Sequence, residues 1–402
     1  MNASLLQVSA EKHLPAALDL LRRLVAINSF TTNASGVDAV AQLTAEAFAP
    51  LGFTAELVRC ATPGTGHHLF LSHHSAGADP IVLVTHSDTV FPPEEEQSND
   101  FKWDERPTEG RIYGPGTVDN KGGTALIWLM LQILHDCAPE AYAQTNWLVA
   151  ANAAEEITGD DFGRATIQHC GGKARAVLVF EGGPVDAQGW HIVTSRKGRN
   201  TWRLTAEGKA SHAGSKHHEG INAIDALALV LPDIAAQSNA TEERTVNIGM
   251  IQGGTVVNRV PHAASAEWEC RATDPAALQR ADDFFVSLSG TATNGTKLIT
   301  ERTGHTSAWP GSVASEALFH LWHEAAAAMN LSAVSVPRGG LSDANHLWHL
   351  APTLDGLGPH GGNAHCSERT ADCSKLPEYV EPNSFVPKAV MNVLALLKVI
   401  SS

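Results

Sequence analysis

Short apolar runs bounded by polar or glycine-rich segments dominate the first half of the chain. PIVLVTHSDTV holds an unbroken apolar stretch that runs out into His86. TNWLVAANAAEE ends in Glu155 and Glu156, and ARAVLVFEGGP ends in Glu181. Continuous apolar stretches of this length predict strands buried on both faces. Between them, GGTALIWLMLQILHDC reads as a helix. At the N-terminus, Leu14, Ala17, Leu18, Leu21, Leu24 and Val25 recur at helical spacing and predict an amphipathic surface helix. Such alternation predicts an α/β fold, a mixed sheet covered by helices.

The texture changes near His191. RNTWRLTAEG, TVNIGMIQGG, AASAEWECRA and TKLITER read as strands, and GINAIDALALVLPDIAAQ and PAALQRADDFFVSLSG as helices. Their β-α-β-β-α-β order is that of a ferredoxin-like α+β module. The chain then returns to segments rich in candidate ligands, GGLSDANHL and GPHGGNAHCSER. The expected organisation is a main domain over 1–187 and 303–402, with an inserted domain over 188–302.

Composition narrows the function classes. At 402 residues the chain is long for a single core, so two domains are the default. The net charge of −15, with no dense basic run, argues against nucleic acid and anionic membranes as partners. The N-terminal segment lacks a basic leader, and Glu11, Lys12, Asp19, Arg22 and Arg23 interrupt its apolar stretch, so it does not read as a secretory signal. No uninterrupted run reaches the ~20 apolar residues of a membrane span. The six cysteines are scattered without a CxxC pair, as expected of free thiols in a reducing cytoplasm. Cys366 and Cys373 are near enough in sequence to pair, but that compartment disfavours it.

The chemistry concentrates at the predicted strand ends and in two glycine-rich loops. His86 in VTHSDTV, Asp119 in YGPGTVDNKGG, Glu156 in ANAAEEITG, Glu181 in LVFEGGP and His365 in GGNAHCSER provide imidazole and carboxylate ligands. That mix suits zinc or a similar divalent ion. An odd ligand count suits two ions sharing one carboxylate, a device for activating water with metals about 3.5–4 Å apart. Asp119, flanked by Gly114, Gly116, Gly122 and Gly123, is the preferred shared ligand; a plain strand-to-helix turn is the bland alternative. Asp88, two residues past His86, would share its side of the strand and orient the imidazole. Glu155 and Glu156 can divide labour, one binding metal and the other taking a proton; an isolated Glu-Glu pair is more often just solvated. Most of the 20 histidines must be structural or solvent-facing. His67, His68, His73, His74, His217, His218 and His349 belong there, His360 stays ambiguous, and composition alone puts His212 with them.

Taken together, these residues resemble the dinuclear zinc peptidase and deacylase family of aminoacylase, glutamate carboxypeptidase, acetylornithine deacetylase and succinyl-diaminopimelate desuccinylase. The resemblance runs from THSDTVFP to the EYV of Glu378–Val380. It implies a catalytic domain with two zinc ions, replaceable by cobalt or manganese, and an inserted dimerisation domain. It assigns His86, Asp119, Glu156, Glu181 and His365 as metal ligands, with Asp119 bridging. Glu155 becomes the general base and Asp88 the partner of His86. His212 is implied to reach the neighbouring subunit's site, and Asn258 and Arg271 to touch substrate. Glu181 is similar to the carboxypeptidase and deacylase members, whereas aminopeptidase members tend to carry aspartate. VFPPEEE and DNKGG most resemble the glutamate carboxypeptidase branch. Asn120 departs from the methionine common there, and the loop CSERTADCSKLP is longer than in many relatives. The expected protein is a cytoplasmic, homodimeric dizinc hydrolase acting on an N-acyl amino acid or on the C-terminal residue of a short peptide. The rivals are a dipeptidase requiring a free amino terminus and a non-catalytic metal- or ligand-binding protein on the same fold.

Overall fold

The computed structural model describes residues 2–75, 79–157 and 161–401. The chain divides into two compact units. The first comprises Met1–Thr194, Gly311–Pro337 and Ser342–Ser402. The second comprises Ser195–Pro310 with Arg338–Leu341, where the sequence pattern suggested 188–302.

The first unit is built on a six-stranded mixed sheet. Thr54–Arg59 pairs antiparallel with His67–His73, which pairs antiparallel with Trp147–Asn152. From there the sheet runs parallel through Ile81–His86 and Ala176–Val179 to Thr353–Leu354. Every residue of Ile81–His86, Trp147–Asn152 and Ala176–Val179 is buried, as their continuous apolar runs require. Helices Ala3–Val25, Lys121–Cys137, Val313–Ala328 and Phe385–Ser401 pack into the same core. Each large aliphatic side chain buried there contributes about 1.5–3 kcal/mol relative to exposure.

The stretch Pro382–Ser401 is long and apolar enough to cross a membrane by composition alone. It is a core element instead: 67% of its most apolar window is buried within the protein. All six cysteines are unpaired, Cys366 and Cys373 included.

The parallel register decides where the chemistry gathers. Ile81–His86 runs alongside both Trp147–Asn152 and Ala176–Val179, with His86 opposite Asn152 and Val84 opposite Val179. The carboxyl ends of these three strands therefore share one edge of the sheet, the edge where open α/β sheets place their ligands. Their next residues supply Asp88, Glu155, Glu156 and Glu181.

The second unit is a five-stranded antiparallel sheet. Its spatial order is Thr245–Gly253, Ala263–Ala272, Gly198–Glu207, Lys297–Thr306 and the short Gly290–Thr291. With helices Ala223–Ala235 and Pro275–Ser287 this is the ferredoxin-like arrangement. Alternation buries one face: Trp202, Leu204, Trp268 and Cys270 join Leu227, Ile234 and Phe285 in a core of their own. The ring of Phe285 meets those of Trp202 and Trp268 at centroid distances of 5.6 and 5.2 Å. Phe285→Ala should cost about 3–5 kcal/mol, because packing this tight cannot collapse around the cavity. Urea denaturation followed by tryptophan fluorescence measures it; a loss below about 1 kcal/mol would mean that this core is not packed as described.

Candidate metal centre

The five candidate ligands meet in the first unit as two triads that share one residue. His86, Asp119 and Glu181 form one, and Asp119, Glu156 and His365 the other, each with ligand atoms within 4.8 Å of one another. Asp119 turns one oxygen to each side: Oδ1 lies 2.9 Å from His86 Nε2, and Oδ2 lies 3.3 Å from His365 Nε2. His86 Nε2 is also 3.7 Å from Glu181 Oε1, and His365 Nε2 is 3.2 Å from Glu156 Oε2. Glu155 belongs to neither triad.

Local structure aims each group. The imidazole of His86 gives its Nδ1–H to the backbone carbonyl of Asp88 at 3.0 Å, so Nε2 is the end presented to the carboxylates. Sequence reasoning expected the Asp88 carboxylate to do this work. That carboxylate stands farther off, Oδ1 at 3.4 Å from Nδ1, and chiefly does something else. It accepts the backbone N–H groups of Glu155 and Glu156 at 3.2 and 3.3 Å, and the Thr31 hydroxyl at 2.7 Å. Asp88 thus fixes the turn carrying both glutamates. That turn is a short 3-10 segment, Glu155–Ile157, beginning three residues past the strand end.

Asp119 sits in the loop entering helix Lys121–Cys137, and Asn120 occupies the N-cap position of that helix without a side-chain capping bond. Glycine is needed just beyond it. A Cβ on Gly123 would collide with Asn120 Oδ1 and the Phe180 carbonyl, and one on Gly122 with the Thr117 carbonyl. Asn120, the departure from the common methionine, is fully buried and donates from Nδ2 to Glu181 Oε1 at 3.0 Å. It therefore orients a candidate ligand. His365 holds a left-handed backbone, φ +67°, and its side chain stays 55% exposed. Non-glycine residues in that conformation cluster at functional sites.

Two buried carboxyls had no assigned role from sequence. Glu378, of the EYV segment, accepts the backbone N–H groups of Val118 and Asp119 at 2.9 and 3.0 Å through Oε1. Burial, and then the charge of Asp119, push it up to about 8. Asp343, of GGLSDANHL, accepts Asn152 Nδ2 at 2.8 Å and is pushed up to about 7, chiefly by burial. A single acidic residue in each motif was the available signal, and neither spacing nor periodicity distinguished it.

The electrostatics are those of a cluster built around positive charge. Burial raises Glu155 well above its ordinary value, with the charges of Glu181, Asp343 and Glu156 adding and His86 opposing. Burial also works to raise Asp119, but hydrogen bonds from His365 and His86 hold it below the usual carboxylate range. Hydrogen bonds to Asp119 and Glu156 raise His365 to about 11. Burial opposes a charged His86, yet its bonds to Asp119 and Asp88 and the charge of Glu181 raise it well above its ordinary value. The donor set fits divalent ions: two imidazoles and three carboxylates, one of them shared by both triads. Glu156 Oε1 adds to the fit, being buried without a hydrogen-bond partner.

The other candidates belong to neither triad. His360 is half-buried, outside both triads, with Nε2 3.9 Å from Glu381. His67 pairs with Asp38. In the second unit, His212 Nδ1 accepts the backbone N–H groups of Gly214 and Ser215 at 3.1 and 3.2 Å. An accepting Nδ1 leaves the ring hydrogen on Nε2, so His212 presents a donor outward. Asn258 is exposed, and its carbonyl accepts the Ala213 N–H at 3.1 Å, beside His212. Arg271 already grips Glu269 through two bonds, at 2.9 and 3.0 Å. A substrate carboxylate would have to compete with Glu269 for it.

Comparison with known proteins shows what the chain is similar to. Residues 194–297 match the model of the peptidase dimerisation domain of the M20 peptidases. Carboxypeptidase G2 of Pseudomonas sp. (strain RS-16) is 29% identical over 68% of the chain and 62% of that relative. Acetylornithine deacetylase of Pectobacterium carotovorum is 28% identical over 62% of the chain and 65% of that relative. The chain thus carries an M20 peptidase dimerisation domain, and its similarity to a carboxypeptidase and to acetylornithine deacetylases extends beyond it. It spans less than two thirds of the length of these curated relatives. A solved tripeptidase from Staphylococcus aureus shares the fold, with a TM-score of 0.76, 21% identity, and coverage of 97% of this chain and 99% of that one.

The raised imidazoles give the site a definite pH dependence. Each holds a proton that a cation must displace, so affinity should strengthen as pH rises. Competition with a chromophoric chelator at pH 6, 7 and 8 should show zinc binding tightening by roughly tenfold per pH unit for each proton released. Affinity independent of pH would mean that His86 and His365 are not ligands.

Proposed function

We propose that this protein is a dizinc hydrolase of the M20 peptidase family that cleaves an amide next to a free carboxylate, in an N-acyl amino acid or at the C-terminal residue of a short peptide. The observation that carries the proposal is Asp119, with one carboxylate oxygen turned to each of two ligand triads. His86, Asp119 and Glu181 would hold one ion, and Asp119, Glu156 and His365 the other. Zinc held there, or cobalt or manganese in its place, would supply Lewis acidity toward the scissile carbonyl and lower the pKa of the attacking water to about 7.

The chain's own groups do the rest. Glu155 stands outside both triads with a carboxyl already raised in proton affinity, which suits a general base near neutral pH. It takes the proton as water attacks the carbonyl carbon, then returns it to the departing amine. Asp88 holds Glu155 in place through its backbone N–H. His212 offers Nε2–H to the developing oxyanion, from the partner subunit of a homodimer. Asn258, next to it, and Arg271 contact substrate.

Dimerisation is supported by the domain match and by the free edge of the second unit's sheet. Edge strand Thr245–Gly253 leaves Met250 and Ile251 half exposed or more, and Val257, just beyond it, is fully exposed. A paired edge is how such strands avoid indiscriminate association. Six unpaired cysteines support a reducing, cytoplasmic setting.

The first test separates base from ligand. Glu155→Gln should retain zinc while losing about 10²–10⁴-fold in kcat, whereas Glu156→Gln should lose zinc as well. Parental turnover by Glu155→Gln on a good substrate would remove the base assignment. Substrate class is read from paired N-acetyl amino acids and free dipeptides. Preference for the acylated compounds is expected; exclusive cleavage of free-amine dipeptides would favour a dipeptidase, and zinc binding with no turnover a binding protein.

A second test addresses the dimer. Homodimers of His212→Ala and of Glu155→Ala should each be nearly inactive, since removing one oxyanion donor costs about 10²–10³-fold. Mixed dimers contain one site with both groups intact and should recover substantial activity. Purified mixed dimers no more active than either parent would place His212 in its own subunit's chemistry, or outside it.

A further inference from the structure

We infer that His68 is a positioning residue that ties down both flanks of the segment carrying Glu155 and Glu156. Its kinetic consequence rests on the hydrolase reading above; the tie itself rests on geometry. Sequence reasoning placed His68 among the structural or solvent-facing histidines. Its side chain is fully buried on strand His67–His73, which pairs with Trp147–Asn152, Leu69 opposite Ala151. The ring packs on Phe162 at a centroid distance of 5.3 Å.

Its two nitrogens have different partners. Nδ1 accepts the backbone N–H of Ala153 at 3.1 Å. A nitrogen that accepts carries no hydrogen, so Nε2 does. Nε2–H donates to Asp161 Oδ2 at 3.3 Å. The same carboxylate accepts the Ala61 N–H at 2.7 Å and the Cys60 thiol at 3.7 Å. Ala153 lies two residues before Glu155, and Asp161 five residues after Glu156. One imidazole, on a strand buried in the sheet, therefore bonds a residue on each side of Glu155 and Glu156.

Cys60, His68 and Asp161 also have the side-chain types of a metal site, with ligand atoms within 4.8 Å of one another. The hydrogen-bond pattern argues against that use. The imidazole nitrogen facing Asp161 carries its hydrogen and has no lone pair to give. The thiol, imidazole and carboxylate act as a brace.

The brace matters most to Glu155. A bound ion would restrain Glu156 directly, but the base has no such anchor. Its position depends on the Asp88 carboxylate at its N–H and on how firmly the flanking backbone is held. Ala153 and Ala154, fully buried against Val37 and Cys60, transmit that hold. A misplacement of about 1 Å can cost about 10²-fold in rate.

The test compares His68→Leu, which keeps bulk and removes both polar contacts, with His68→Asn, whose Oδ1 can replace the Nδ1 acceptor. The readouts are amide hydrogen exchange at Ala153, zinc content, kcat and KM. His68→Leu should exchange at Ala153 at least about 10-fold faster, keep its zinc and its KM, and lose about 10- to 100-fold in kcat. His68→Asn should restore protection at Ala153 and most of the kcat. Unchanged exchange in His68→Leu, a kcat falling only in proportion to lost zinc, or no rescue by asparagine would each overturn the proposal. Should His68→Leu fail to fold, Asp161→Ala frees the far flank with the imidazole in place. A lowered kcat at full zinc content then supports the tie, and an unchanged kcat overturns it. A parent protein inactive on every amide would sink the hydrolase reading, while exchange at Ala153 would still decide the tie.

Discussion

Asp119 is the constraint around which the first unit is arranged. One carboxylate has to serve two imidazoles on opposite sides, so its position is fixed from several directions. Glu378 grips the backbone N–H groups of Val118 and Asp119, the Asn120 side chain reaches Glu181, and glycines at 122 and 123 let the helix start close against the Thr117 and Phe180 carbonyls. Three carboxylates gathered in a partly buried space repel one another, and taking charge out of water is costly without compensation. The raised histidines and the depressed Asp119 are the response of the chain's own groups to that crowding. Divalent cations answer the same demand more fully.

The sheet makes the gathering possible. Three parallel neighbours bring their carboxyl ends to one edge, so residues about 95 positions apart in sequence become neighbours. A second tier then holds the turn of Glu155 and Glu156. Asp88 binds its backbone directly, and His68 with Asp161 ties the flanks. The division of labour between the adjacent glutamates follows from this arrangement. Glu156 faces His365, while Glu155 stays outside the ligand triads.

Much of this was legible in the sequence because local pattern carried it. Continuous apolar runs announced the buried parallel strands, and the order of elements announced the ferredoxin-like unit. Residues following those runs were natural candidates for a shared edge, and the structure brings His86, Asp119, Glu156, Glu181 and His365 together. What was not legible depends on distance or on very short elements. Glu378 meets the Asp119 N–H across 259 residues, and no periodicity marks it. Strands Gly361–Gly362 and Tyr379–Val380, two residues each, carry no alternation to read. The Asp88 carboxylate was expected on His86, whereas the backbone carbonyl takes that bond and frees the carboxylate for the glutamate turn. His68 looked like one of many histidines, because its importance lies in which backbone N–H it accepts.

The most direct measurement of the central claim is anomalous X-ray scattering at the zinc absorption edge from zinc-loaded crystals. The account predicts two peaks about 3.5–4 Å apart, one on each side of the Asp119 carboxylate, with His86 and Glu181 at one and Glu156 and His365 at the other. A single peak, or two peaks that Asp119 does not bridge, would contradict it.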